Sequence, residues 1–450
     1  MPIINAFSSL TELKQQLDDG EITAVAIAAH FLERINRFDP QLASFVSVFE
    51  QRALDAAEGQ DNLLAAGVNL GPLQGLPIGI KDLLHWQGTP CSAGSNLLKG
   101  VISDETAEVV KRLHAGGMNI VGKTQLVEFA FGGWGTNPRF TAPWNPWDKK
   151  CHRIPGGSSS GSAVAVAAGL VPASLGTDTG GSVRIPAALN GLVGLKPTQR
   201  RVSNQGCIPL SVNLDSIGPL TRTVKDAALL FELMSGVTLA KPQVGRMRVA
   251  ILQGDMDGVA VEPEILQTFE KTQYDLRQCG IEVVTIKAPF SLPELSRLSG
   301  EIITADAYAY HCQDLQAHPE SYDPVIFGKL MQGQSTSSQA YLCAMETRRQ
   351  YQQAFATMML DVDAILTPTL SMTAIPLSDV DEQKAALATF TRGVNYLDGC
   401  AISLPVALSS AGLPIGMQLI AAAEGESTLL ALAEALERQG DWQTVPPGFE

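Results

Sequence analysis

The stretch that most constrains this chain is RIPGGSSSGSAVAVAAGLVPASLGTDTGGSVRIPAALNGLVGLKPT, from Arg153 to Thr198. Two glycine-serine clusters enclose a run of alanines and valines. A Gly-Ser linker would sit between polar, unstructured segments. Here the first cluster instead runs straight into helix-forming alanines, a short apolar strand and then the second cluster. Between Ser158 and Ser182 there is room for one helix and one strand, so the chain can return to the same place. That implies a packed α/β core.

The rest of the chain has the texture of such a core. Residues 8 to 58 read as helices, with Ser9 and Thr11 as candidate caps. From about 70 to 198, short apolar runs (LPIGI, MNIV, PASLGT) between glycines and prolines read as buried strands alternating with helices. Residues 224 to 235 read as a helix, RVAILQ as a strand, 262 to 279 as a helix and IEVVTI as a strand. Helical texture dominates 292 to 313 and 337 to 359, and DAILTP, AISLPVAL and PIGMQLIA are late strands that could return to the first sheet. The breaks at 66 to 77 and 240 to 245 are too short to require separate domains.

Charge and cysteine usage exclude several function classes. A net charge of -14, without a basic run, argues against direct nucleic-acid binding. Seven scattered cysteines without a CxxC pair suggest reduced thiols in a cytoplasm, with neither a disulfide framework nor a metal site. No signal peptide and no membrane span is expected.

Two shorter windows match known glycine-rich motifs. Gly117 to Thr124 (GMNIVGKT) satisfies the phosphate-loop pattern GxxxxGK[ST] letter by letter. Its inner residues are a strand candidate and AEVVKRLHAGG before them reads as a helix ending in glycine, so a helix-glycine-strand connection is preferred. Gly157 to Gly161 matches the nucleophile elbow GxSxG, with Ser159 central and His311 and His318 downstream. Against it, Pro155, Arg153 and His152 interrupt the strand that should lead in.

Taken together, PIGIKD, GGSSSGSA and GTDTGGSVRIPAALNGLVGLKPT resemble the amidase signature family, hydrolases that use a Ser-Ser-Lys triad. Further likeness lies in NPWDKKCHRIPGG, LDSIGPLTRTVKDAALL and GLPIGMQLIA, so the resemblance covers about residues 20 to 440. It implies an α/β fold: one large α/β/α sandwich with a mixed central sheet. We expect one domain over 1-450, with N-terminal helices at 1-65, a signature core at 66-240 and an α/β portion at 245-450 that helps form the pocket.

The same resemblance assigns roles. It makes Ser182 the nucleophile, Ser158 a bridging proton relay on a cis peptide bond, and Lys81 the base. A lysine acting as base near neutral pH needs its pKa lowered by about three units, on the order of 4 kcal/mol, and the apolar LPIGI run suits burial of Lys81. Backbone N–H groups of Thr179, Gly180, Gly181 and Ser182 are the candidate oxyanion hole. Asp178 and Arg184 read as a structural pair or as loop supports, and Ser159 and Ser160 as helix N-cap and loop hydrogen-bonders. No cofactor and no metal is implied.

The substrate is less legible. In the tRNA-dependent amidotransferases, the glutamine-hydrolysing chain holds the glutamine carboxylate with an arginine before a Leu-Gly, and the nearest match here offers Lys329. The segment FTRGVNYLDGCAISLP, containing Asn395, Tyr396 and Asp398, resembles the biuret and allophanate hydrolase branch instead. The expected substrate is therefore a small amide, acylurea or carbamate, with Phe131, Gly132, Gly133, Trp134 and Asn395 as candidate contacts. The alternatives are an aryl acylamidase or urethanase, or the ammonia-supplying component of an amidotransferase, and a homodimer is left open.

Overall fold

The computed structural model describes residues 4–254, 256–382, 386–440, 442 and 444–450. Among them, eleven strands form one sheet. In chain order they are β1 (Phe45–Val48), β2 (Pro77–Lys81), β3 (Asn119–Thr124), β4 (Ala173–Asp178), β5 (Val193–Lys196) and β6 (Ser216–Thr221), then β7 (Arg248–Leu252), β8 (Glu282–Ile286), β9 (Ala364–Pro368), β10 (Cys400–Leu408) and β11 (Pro414–Ala421). Their spatial order is β1-β3-β2-β4-β6-β5-β10-β11-β9-β7-β8. β2 runs parallel to β3 and β4, β7 runs parallel to β8 and β9, and the other pairings are antiparallel. The late strands β10 and β11 join the first half through β5.

Side chains alternate across a strand, and the sheet is covered on both faces. Ile120 of β3 and Ile217 of β6 join one apolar core, whereas Val121 and Leu220 join another. The second core is filled by the helix Ser160–Ala167, every residue of which is buried. Its Ala and Val content lets it pack on all sides, as a helix apolar all round must. On the other face lie helices such as Val224–Ser235, capped by Thr223. The α/β sandwich expected from the sequence is therefore the fold observed.

Local signals explain most elements. Ser9 closes a reciprocal capping box with Glu12 at the start of Leu10–Asp18. GMNIVGKT is a helix-glycine-strand connection: Glu108–Ala115 ends, Gly117 takes φ +73°, and Asn119–Thr124 is the buried β3. The 8 to 58 stretch is not wholly helical. Helix Ala24–Leu42 stops at Ala43, which is left-handed at φ 50°. The Asp39 carboxylate accepts from the N–H groups of Ser44 and Phe45, and the next four residues pair with β3.

Candidate active site

Because β2 and β4 are parallel neighbours, with Gly79 opposite Ser174 and Ile80 opposite Leu175, their C-terminal ends emerge side by side. Lys81 ends β2 and Asp178 ends β4. β2 is buried along its length, so Lys81 is delivered into the interior. Its Nζ lies 2.8 Å from Ser158 Oγ and 2.9 Å from Thr177 Oγ1. Burial pushes the ammonium down to about 7, against the pull of Cys207, Asp215 and Asp178 toward the charged form. A neutral amine at this distance is able to accept a proton from the Ser158 hydroxyl.

The two glycine-serine clusters are stitched together. The Ser159 N–H donates to the Ser182 carbonyl at 3.2 Å, and the Gly157–Ser158 peptide is cis. Ser158 is fully buried, whereas Ser182 retains 8% exposure and borders a cleft. Ser159 does not cap the helix that follows it. Its hydroxyl exchanges hydrogen bonds of 3.3 Å with the carbonyl and N–H of Thr177, fixing the serine loop to β4.

Asp178 organises the loop ahead of Ser182. Its carboxylate accepts from the N–H groups of Gly181 at 2.7 Å and Val183 at 3.1 Å, and from two nitrogens of Arg184. Burial alone would raise this carboxyl, but the Arg184 charge, with Lys196 and Asn395, outweighs it and holds Asp178 well below the usual carboxylate range. One expectation is corrected here. The Gly181 N–H is already spent on Asp178, so among the described residues only the N–H groups of Thr179, Gly180 and Ser182 in this loop lack a partner. Gly181 must still be glycine. Gly181 sits at φ +121°, and a Cβ there would stand 2.2 Å from Thr391 Oγ1.

The cleft beside Ser182 has a volume of about 110 Å³, and Phe131, Gly132, Gly133 and Trp134 line it with Thr179 and Gly180. It shares Phe131, Ile303, Lys329, Glu382 and Arg392 with a broader outer space of about 1120 Å³. Asn395 does not reach this cleft. It is fully buried, its Nδ2 donates to the Asp178 carboxylate and carbonyl at 2.9 Å each, and its Oδ1 accepts from Arg184. That placement removes it as a substrate contact. Lys329 is at the cleft, paired with Glu382 at 3.0 Å.

Residues 26–430 match the family model described as Amidase. The chain belongs to the amidase signature family. It is a hydrolase of carbon–nitrogen bonds in non-peptide amides. The A-type chain of the glutamyl-tRNA(Gln) amidotransferase of Chloroflexus aggregans (strain MD-66 / DSM 9485) is 35% identical over 468 residues, 95% of each chain. A protein named 2-amino-5-chloromuconic acid deaminase, from Comamonas testosteroni, is 34% identical over 452 residues, 97% of each chain. A crystal structure of an amidase superposes with a TM-score of 0.90 at 33% identity, covering 96% of this chain and all of its own.

In this amidase the histidine-based elbow has no geometry behind it. His311 packs on Phe129 at 4.2 Å between ring centroids, with Tyr322 Oη 3.3 Å from its Nδ1, and burial pushes it down to about 4. His318 is exposed beside Glu320. Three residues around the amidase site were not anticipated. Thr177 is the second partner of Lys81, Asp215 accepts from Thr179 Oγ1, and Arg392 lines the cleft. Thr177 and Asp215 lie in the segments GTDTGGS and LDSIGPL, but Lys81 reaches Thr177 from the neighbouring β2, and Asp215, just ahead of β6, meets Thr179, just after β4. Among the described residues, no helix is long and apolar enough to cross a membrane.

Proposed function

We propose that this chain is an amidohydrolase that cleaves the C–N bond of a small amide, acylurea or carbamate through an acyl-enzyme on Ser182. The observation that carries this reading is the buried 2.8 Å contact between Lys81 and Ser158, with the lysine brought into the neutral range. Ser182 Oγ attacks the carbonyl carbon. Its proton passes to Ser158 as the Ser158 proton passes to Lys81 Nζ. The oxyanion is met by the unpartnered N–H groups of Thr179, Gly180 and Ser182, where loss of one donor typically costs about a hundredfold. The relay then returns the proton to the leaving nitrogen, and water, deprotonated along the same path, hydrolyses the ester.

The narrow cleft at Ser182 favours a short acyl group, while the outer space leaves room for an aryl amide or urethane. Seven unpaired cysteines accord with a cytoplasmic setting. The test is the purified chain alone against amides, ureas and carbamates with leaving groups of graded size. We expect release of ammonia or amine and a mass shift on the Ser182 peptide after rapid quenching. Release without any adduct on Ser182, or no release from the whole panel, would overturn the reading.

A second reading, a component that supplies ammonia from glutamine to a partner, is favoured by the amidotransferase chains among the relatives. Lys329, tied to Glu382, stands against it. Turnover of simple amides by the isolated chain would remove it.

A further inference from the structure

Among the described residues, Arg392 is the charged side chain of the cleft that has no charged partner. Its Cγ and Nε stand 3.1 and 3.2 Å from the point where a Cβ on Gly180 would lie, so the side chain rests on the loop that carries Ser182. Nη1 reaches toward Gly300, on the helix Leu292–Ala317. Nε is closed to solvent and has no hydrogen-bond partner. The other charged residues of the inner cleft, Lys329 and Glu382, satisfy each other. One uncompensated positive charge is thus left beside the nucleophile of a chain whose net charge is -14.

The buried structural arginines behave differently. Arg184 is matched by Asp178, Gln418 and Asn395, Arg348 donates to the Tyr396 carbonyl, and Arg222 donates to the carbonyls of Ala6, Phe7 and Val166. A guanidinium cannot shed its proton to escape burial, and an unpaired buried charge is costly. Among the described residues, Arg392 carries an unpartnered buried guanidinium nitrogen in a space that admits a ligand.

We propose that Arg392 binds a carboxylate of the substrate, so that the preferred substrates are amides carrying an acidic group a few bonds from the scissile carbonyl. The inference rests on Ser182 being the nucleophile. The planar fork of arginine can give a carboxylate two parallel N–H donors, which a neutral amide cannot use in the same way. The apolar walls at Phe131 and Ile303 would lie along the carbon chain between the two groups.

The test compares succinamate and glutaramate with the neutral diamides succinamide and glutaramide. The wild-type kcat/KM should favour at least one acid over its diamide by about tenfold or more, mainly through KM. Arg392→Gln should bring that ratio toward one, and Arg392→Lys should keep part of it. Calorimetric binding of the same pairs to the Ser182→Ala protein gives a readout independent of turnover and should show the same preference. Hydrolysis of the diamides with no preference for either acid, or a preference that survives Arg392→Gln, would overturn the inference and leave the hydrolytic reading intact. Acid-selective binding that depends on Arg392, without turnover of any amide, would support it and count against hydrolysis.

Discussion

Arg184 holds Asp178 by two hydrogen bonds, Nε to Oδ2 at 3.0 Å and Nη2 to Oδ1 at 2.9 Å, and neither side chain is exposed. The same carboxylate takes the N–H groups of Gly181 and Val183, on either side of Ser182. The ion pair is therefore the clamp on the loop that carries Ser182.

Breaking that clamp from one side leaves the other charge buried and alone. Arg184→Met is expected to cost about 3–5 kcal/mol, read as a shift of the urea midpoint, and to lower kcat as the loop relaxes. An unchanged midpoint would show that the pair does not hold the loop.

Ser182→Ala and Lys81→Ala are each expected to lower kcat by about a thousandfold or more. Ser159→Ala should retain most turnover, because its hydroxyl is engaged with Thr177. It should still lose about 1–2 kcal/mol of stability, since buried Thr177 groups lose a partner. Substantial activity in Ser182→Ala would refute the assigned nucleophile.

In the proposed mechanism Lys81 must be neutral to accept a proton. With Lys81 brought down to about 7, kcat/KM should fall about tenfold per pH unit on the acid side and level off above that point. Stability should follow a related course. The unfolded lysine keeps its ordinary value of 10.5, so between about 7 and 10.5 the unfolded chain binds a proton that the folded chain lacks. Raising the pH through that window favours folding, and below it the burial cost stands in full. Lys81→Met should lose this slope in denaturation measured against pH.

Asn395 offers a separate check on how the site is built. Asn395→Ala removes donors to Asp178 and an acceptor from Arg184, and should cost about 1–3 kcal/mol. The rank order of substrates should stay the same. A changed order with unchanged stability would return Asn395 to the pocket.

Much of the fold could be read from local pattern. MNIV, RVAILQ and PIGMQLIA are apolar runs between turn residues, and 224 to 235 is a capped amphipathic segment; each is the element its composition suggests. Phe45–Val48 was hidden because four residues following a helix carry too little periodicity, and their strand state comes from pairing with β3. At the site, Lys81 and the two serine clusters stand out through their glycines. Arg392 and Asn395 lie three residues apart, yet one faces the cleft and the other braces Asp178. No pattern along the chain separates them, because the difference is set by which neighbours the fold brings to each.

The parallel pairing of β2 with β4 has a consequence for how such a protein can diversify. Lys81 and the loop after Asp178 hang from adjacent strands of the sheet; Thr179, Gly180 and Ser182 of that loop form one wall of the cleft, and the facing walls include 130–134, Ile303 and Arg392. The facing walls are thus built from parts of the chain other than β2 and β4. Insertions or exchanges in those facing walls can redirect the chain to new molecules while Lys81, Ser158 and Ser182 stay in register, so substrate range here is a property that can drift or be engineered without moving the proposed proton path.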